Sequence, residues 1–231
     1  MLSKKKVIVS LIINALIFLI TVGIFVSYFF EEPNILIRNG FESLRYFTTD
    51  SNVLAALISL VIVVCDILIL KKKISTLPTA VILLKFVSTV CVMVTFSVTV
   101  CYLLPIYGPF VIGKSLFIVH VSTPLMAFFS FLLLENTRRI RIGEMFLPLI
   151  PILIYGAVYY YATQILGEAN GGWRDFYAFG RSGNFLLMVF IIILCSVAIS
   201  VLTAVFYNLA VKAAAKKQRS APESTNTPSE S

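Results

Sequence analysis

Six apolar stretches of twenty residues or more run through this 231-residue chain: Val7–Phe30, Tyr46–Leu70, Thr79–Leu104, Ser115–Leu134, Leu147–Leu166 and Phe185–Val211. A helix rises about 1.5 Å per residue, so about 20 apolar residues cross the hydrocarbon core of a bilayer. Strands of a membrane barrel would alternate apolar and polar residues, and runs such as FLLMVFIIIL do not. The pattern therefore predicts an all-α integral membrane protein, a bundle of six transmembrane helices.

Composition agrees. Hydrophobic residues make up 59%, charged residues 13%, and mean hydropathy is +0.96, against about 45–50% apolar and about 25% charged in soluble domains. So few charges cannot build a water-facing surface, which excludes a secreted disulfide scaffold, a nucleic-acid module and a Rossmann-type enzyme. The net charge of +8 is a matter of topology. Lys4–Lys6, Lys71–Lys73, Arg138, Arg139, Arg141, Lys212, Lys216, Lys217 and Arg219 fall on one side, thirteen of the nineteen basic residues. Arg38, Arg45, Lys114, Arg174 and Arg181 fall on the other, and Lys85 lies within the third span. By the positive-inside rule both termini are expected to be cytoplasmic.

The first span follows three lysines, but it is too long for a signal-peptide core and Glu31, Glu32 and Pro33 follow it instead of a small-residue cleavage site. The chain thus reads as one six-helix domain over residues 1–211. A tail, 212–231, is basic and then, in SAPESTNTPSES, polar and expected to be disordered. Cys65, Cys91, Cys101 and Cys195 all fall in spans with no C-x-x-C pair, and read as packing residues. With one histidine and no Gly-rich phosphate loop, no metal or cofactor is expected.

Polar side chains in hydrocarbon are costly and report a partner, a cavity or a site. Stripes at helical spacing occur in the second span (Thr48, Asn52, Ser59), the third (Ser88, Thr95, Thr99) and the sixth (Ser196, Ser200, Thr203, Tyr207). They serve close helix packing or line a shared pocket. Asp66 and Lys85 stand near the cytoplasmic ends of adjacent antiparallel spans and are expected to form a structural ion pair, unless Lys85 snorkels alone.

His120, the single histidine, lies about 9 Å below the outer surface by the helical rise. An imidazole takes and returns a proton near neutrality, and Pro124 four residues later loosens the backbone. Thr48, about 5 Å deep on the same side, sits in Arg45–Asn52, where six of eight residues are polar or charged. A threonine hydroxyl becomes a nucleophile when a base removes its proton, and His120 is the one imidazole available. Asp50 is a candidate third member orienting the imidazole, unless it pairs with Arg45. Asn52, Trp173 or backbone N–H groups near Pro124 are candidate oxyanion donors. The outer loop Gly167–Asn184 brings Trp173, Asp175 and Tyr177, as an interfacial aromatic belt or as a cover over the site.

The segment Tyr46-Phe47-Thr48 with Ser51 and Asn52, and His120 followed by Pro124, are where the sequence resembles a known family. This is the six-span family of androgen-induced and androgen-dependent membrane proteins with their bacterial relatives. The resemblance extends in span count and order over about Val7 to Val211. It implies an intramembrane threonine hydrolase of fatty acid esters of hydroxy fatty acids, with Thr48 and His120 as its catalytic residues. It implies no cofactor, and membrane lipids as partners. Asp50 stands two residues after the threonine, where the animal members carry an acidic residue three after it.

Three expectations follow. The first is hydrolysis of a lipid ester reached from the outer leaflet of a cell membrane, which short loops place in a bacterial cytoplasmic membrane. The alternative is a small proton-linked transporter or ligand-binding membrane protein using His120 and the Lys85–Asp66 pair. A third is a structural partner in a larger complex, for which neither Thr48 nor His120 matters. No nucleic-acid partner is expected.

Overall fold

The computed structural model describes residues 3–30, 40–113 and 115–219. The disordered tail expected over 220–231, and Glu31–Pro33, Arg38 and Lys114 among the residues weighed above, lie outside the described residues. Among the described residues every regular element is helical, and six helices are long and apolar enough to cross a membrane. By length and composition this is a multi-pass membrane architecture. We label them α1 (Lys4–Ser27), α2 (Phe47–Leu70), α3 (Thr79–Tyr107), α4 (Ser115–Leu133), α5 (Gly143–Leu166) and α6 (Phe185–Arg219).

Several boundaries shift by a few residues from expectation, two of them for evident local reasons. Helix α1 starts at Lys4, because the Ser3 side chain accepts from Lys6 N and caps it. Helix α6 continues past Val211 to Arg219, since Val211–Arg219 (VKAAAKKQR) is rich in strong helix formers. The expected basic tail therefore begins as helix.

Prolines shape the interiors. Pro105 and Pro124 have no N–H, so the carbonyls of Cys101 and His120, four residues earlier, lose their helical donors. Each helix absorbs the mismatch as one wide π turn, Thr99–Leu103 in α3 and Ile118–Ser122 in α4. Leu104 N donates to Thr99 O, and Thr123 N to Ile118 O. A third π turn, Tyr161–Leu166, closes α5 at Gly167.

Helix α3 is central, packing against α2, α4 and α6, while α1 lies along α2 and α4, and α5 docks on α6. Three layers follow along the bundle. At one end Phe131 stacks on Tyr207 with centroids 4.2 Å apart, and Phe86 packs on Phe131 at a tilt. A thin middle layer is made by Ile17, Ala55, Val92 and Ala127. At the other end Leu103, Val111, Tyr159, Tyr177, Phe179 and Phe185 form a largely aromatic core. Outward faces carry exposed Leu, Ile, Val and Phe side chains along their whole length, such as Leu57, Val64, Leu153, Phe190 and Leu202. Such faces suit hydrocarbon and would be a severe liability in water.

Candidate functional site

The first turn of α2 places Thr48 at a helix N-terminus. Its entry is fixed from the outer loop: the Phe47 N–H, an orphan donor of that first turn, donates to the Tyr177 hydroxyl at 2.9 Å. Tyr177 is itself held by a chain of bonds. Its N–H donates to Tyr159 Oη at 3.2 Å, and Tyr159 Oη donates to Asp175 Oδ1 at 2.6 Å. Asp175 also accepts from the N–H groups of Phe179 (3.1 Å) and Gly180 (2.7 Å). Asp175 thus folds the loop on itself, and Tyr177 carries that order to Thr48. Burial pushes the Tyr177 phenol well above its ordinary pKa, so it stays protonated. Gly172 is where the loop comes closest to the end of α5: a Cβ there would lie 2.2 Å from the Ala162 carbonyl oxygen. The loop is thus packed against the end of α5 and the first turn of α2.

His120 comes from the π turn of α4 and is buried. Its Nδ1 lies 2.6 Å from the Val111 carbonyl oxygen, and its Nε2 lies 3.3 Å from Thr48 Oγ1. A carbonyl can only accept, so Nδ1 carries the proton and neutral Nε2 presents a lone pair to the threonine hydroxyl. The structure thus brings Thr48 and His120 into hydrogen-bond reach, in the tautomer a general base needs.

The expected supporting roles are redistributed. Asp50, two residues on, is turned roughly 200° around the helix from Thr48 and faces a different crevice, so the Val111 carbonyl orients His120 in its place. Arg45 pairs with Glu42 at 3.5 Å, not with Asp50. Asn52 spends both amide hydrogens on carbonyls, Thr48 O at 2.8 Å and Val119 O at 3.0 Å, so it ties α2 to α4 and is no oxyanion donor. Trp173 lines the crevice of Asp50, away from His120. Pro124 frees a carbonyl, an acceptor, rather than an N–H. The donor that sequence reasoning missed is the N–H of Thr48 itself, which has no acceptor among the described residues and sits where the α2 macrodipole is positive.

Two spaces meet at Thr48. A chamber of about 20 Å³ is bounded by Thr48, His120, Tyr28, Ser43, Tyr46 and Tyr177, large enough for one water molecule. A cavity of about 320 Å³ runs from Thr48 and Tyr177 between α3, α5 and α6, past Val98, Tyr159, Val189 and Ile192. At its other limit are Leu153, Tyr160 and Leu186, all exposed on the outward face of the bundle. Apart from Thr48 and the threonines and tyrosines of its walls, the lining is aliphatic and aromatic.

At the opposite end of the bundle, the expected Asp66–Lys85 ion pair is not formed. Lys85 is fully buried and does not snorkel; its Nζ donates to Asn14 Oδ1 at 2.7 Å and Ser59 Oγ at 3.0 Å. Asn14 Nδ2 in turn donates to Glu135 Oε1 at 2.7 Å, which also accepts from Ser130 Oγ at 2.6 Å. Lys6 Nζ donates to Asn136 Oδ1. Helices α1 to α4 are thereby tied through one lysine. The signal for this was a lone Asn in the otherwise apolar first span, with Glu135 just beyond the fourth. Along α1 to α4 the middle layer of Ile17, Ala55, Val92 and Ala127 separates this network from His120. The polar stripes mostly bond to backbone or to each other: Ser51 Oγ meets Thr95 Oγ1 at 2.9 Å, and Ser196 Oγ donates to Ile192 O at 2.7 Å. No cluster of three or more metal-ligating side chains occurs among the described residues, and the four cysteines are unpaired.

No protein-family model matches the chain, and no curated protein or solved structure is significantly similar to it.

Proposed function

We propose that the protein is an intramembrane hydrolase of lipid esters, with Thr48 as nucleophile and His120 as base. The observation that carries this is the bare Nε2 of His120 held 3.3 Å from Thr48 Oγ1 by the Val111 carbonyl, at the head of an apolar cavity. Nε2 takes the Thr48 proton as Oγ1 bonds to the acyl carbon. The oxyanion formed there is met by the Thr48 N–H and the positive end of α2. Collapse expels the alcohol, which takes the proton from Nε2. A water in the small chamber then gives its proton to Nε2 and attacks the threonyl ester, releasing the acid and restoring Thr48.

The 320 Å³ cavity suits the acyl chain, entering sideways past Leu153, Tyr160 and Leu186. The resemblance of Tyr46–Asn52 and His120–Pro124 to the six-span fatty-ester hydrolases supports the same pair and the same substrate class. The distribution of basic residues supports cytoplasmic termini, and with them a Thr48 reached from the outer leaflet. The apolar middle layer between His120 and Lys85 supports hydrolysis over a proton-linked path through both. The test is ester hydrolysis by detergent-purified protein on a panel of long-chain and hydroxy-fatty-acid esters, beside Thr48→Ala and His120→Ala. Turnover lost in both folded variants supports the reading; no turnover on any ester, or turnover unchanged in both, overturns it.

A further inference from the structure

A third space, of about 330 Å³, lies between α2 and α5, lined by Phe47, Asp50, Leu54, Tyr155, Val158 and Trp173 among others. The Phe47 and Tyr155 rings, 5.1 Å apart, line both this crevice and the cavity at Thr48. Asp50 is the one carboxylate in its lining, which holds no Lys, Arg or His. No hydrogen bond or ion pair from the described residues reaches its carboxylate, and Arg45, the nearest cation in sequence, is engaged by Glu42. Asp50 lies in the first turn of α2, whose positive end offsets part of the cost of a half-buried carboxylate among apolar walls; a cationic group against it would offset the rest. Faces of Trp, Tyr and Phe also attract an organic cation. The crevice opens sideways along Ile154 and Val158, both exposed on the outward face, so what enters there carries an apolar chain as well.

We propose that this crevice binds a cationic membrane amphiphile, its ammonium headgroup against Asp50, Trp173 and Tyr155 and its chain along Leu54, Ile154 and Val158. The site is separate from Thr48 and His120 and does not require ester turnover, so either proposal stands or falls without the other.

Trp173 is the chain's single tryptophan and reports on the site directly. The full chain in neutral maltoside micelles is titrated with dodecyltrimethylammonium, dodecyl sulfate or tetramethylammonium while its fluorescence is followed. A saturable change with dodecyltrimethylammonium is expected. It should weaken roughly tenfold or more in Asp50→Asn and persist in Asp50→Glu, which keeps the charge. The proposal is overturned if Asp50→Asn titrates like the parent, or if dodecyl sulfate gives the same curve. Tetramethylammonium binding as tightly as the dodecyl compound would overturn the amphiphile assignment in favour of a free ammonium ion.

Discussion

The carbonyl of Val111 lies 2.6 Å from Nδ1 of His120, nine residues further along the chain. This one contact decides which imidazole nitrogen faces Thr48. It comes from the short 3-10 turn Pro109–Ile112 joining α3 to α4, so the imidazole is oriented by backbone rather than by a carboxylate. A dipole stabilises an imidazolium less than a full charge does, which suits a base that must stay neutral between steps in an apolar setting.

Replacing Thr48 by Ser keeps a hydroxyl within reach of Nε2, whereas Val keeps the shape and removes the nucleophile. Thr48→Ser is expected to retain measurable ester turnover, and Thr48→Val to lose about a thousandfold or more, with the folded fraction unchanged by size-exclusion profile. His120→Gln, which can still hydrogen-bond but cannot act as a base in water near neutrality, is expected to fall with Thr48→Val.

Filling the cavity should separate chain length from chemistry. Val189→Trp places an indole between α5 and α6 beyond the reacting atoms. Long-chain esters are expected to lose roughly tenfold or more in kcat/KM while short-chain esters change little, the pattern of a hydrophobic pocket that has been shortened. Equal losses on both would show that the chain lies elsewhere.

Tyr177→Phe removes the hydroxyl that accepts the Phe47 N–H. The cost should resemble loss of a helix cap, about 1 kcal/mol, read as a lower Tm, and turnover should fall because the first turn of α2 carries Thr48. Asp175→Ala acts one step further out and should produce the same two effects, by releasing Tyr159 Oη and the N–H groups of Phe179 and Gly180.

Lys85→Met keeps the length of the side chain and removes the cation that Asn14 and Ser59 engage. Breaking a buried charged network on one side costs about 3–5 kcal/mol, so Tm should drop sharply. Turnover per folded molecule should stay near the parent value, because the middle layer separates Lys85 from His120. A transporter with its path through Lys85 would instead lose activity per folded molecule as well.

The six helices were legible because twenty-residue apolar runs have few other solutions, and Thr48 and His120 were legible as two polar groups at similar depth on one side. Asp50 was misplaced by proximity in sequence: two residues of helix turn a side chain to the far face. The Val111 carbonyl left no mark, since any residue supplies a carbonyl and only the loop's path brings this one to Nδ1. Lys85 was paired with the nearest acid, whereas burial selected neutral Asn14 and Ser59 as direct partners and left Glu135 one bond further away. The Thr48 N–H was overlooked because a helix N-terminus offers it without any special residue.

The central claim is that Thr48 itself becomes acylated. Rapid acid quenching during turnover of an activated long-chain ester, followed by peptide mass spectrometry, tests it directly. The proposal predicts one acyl group on the peptide containing Thr48, absent from Thr48→Ala and cleared when the ester is exhausted. Sustained hydrolysis with no acyl group on that peptide, or undiminished hydrolysis by Thr48→Ala, would contradict it.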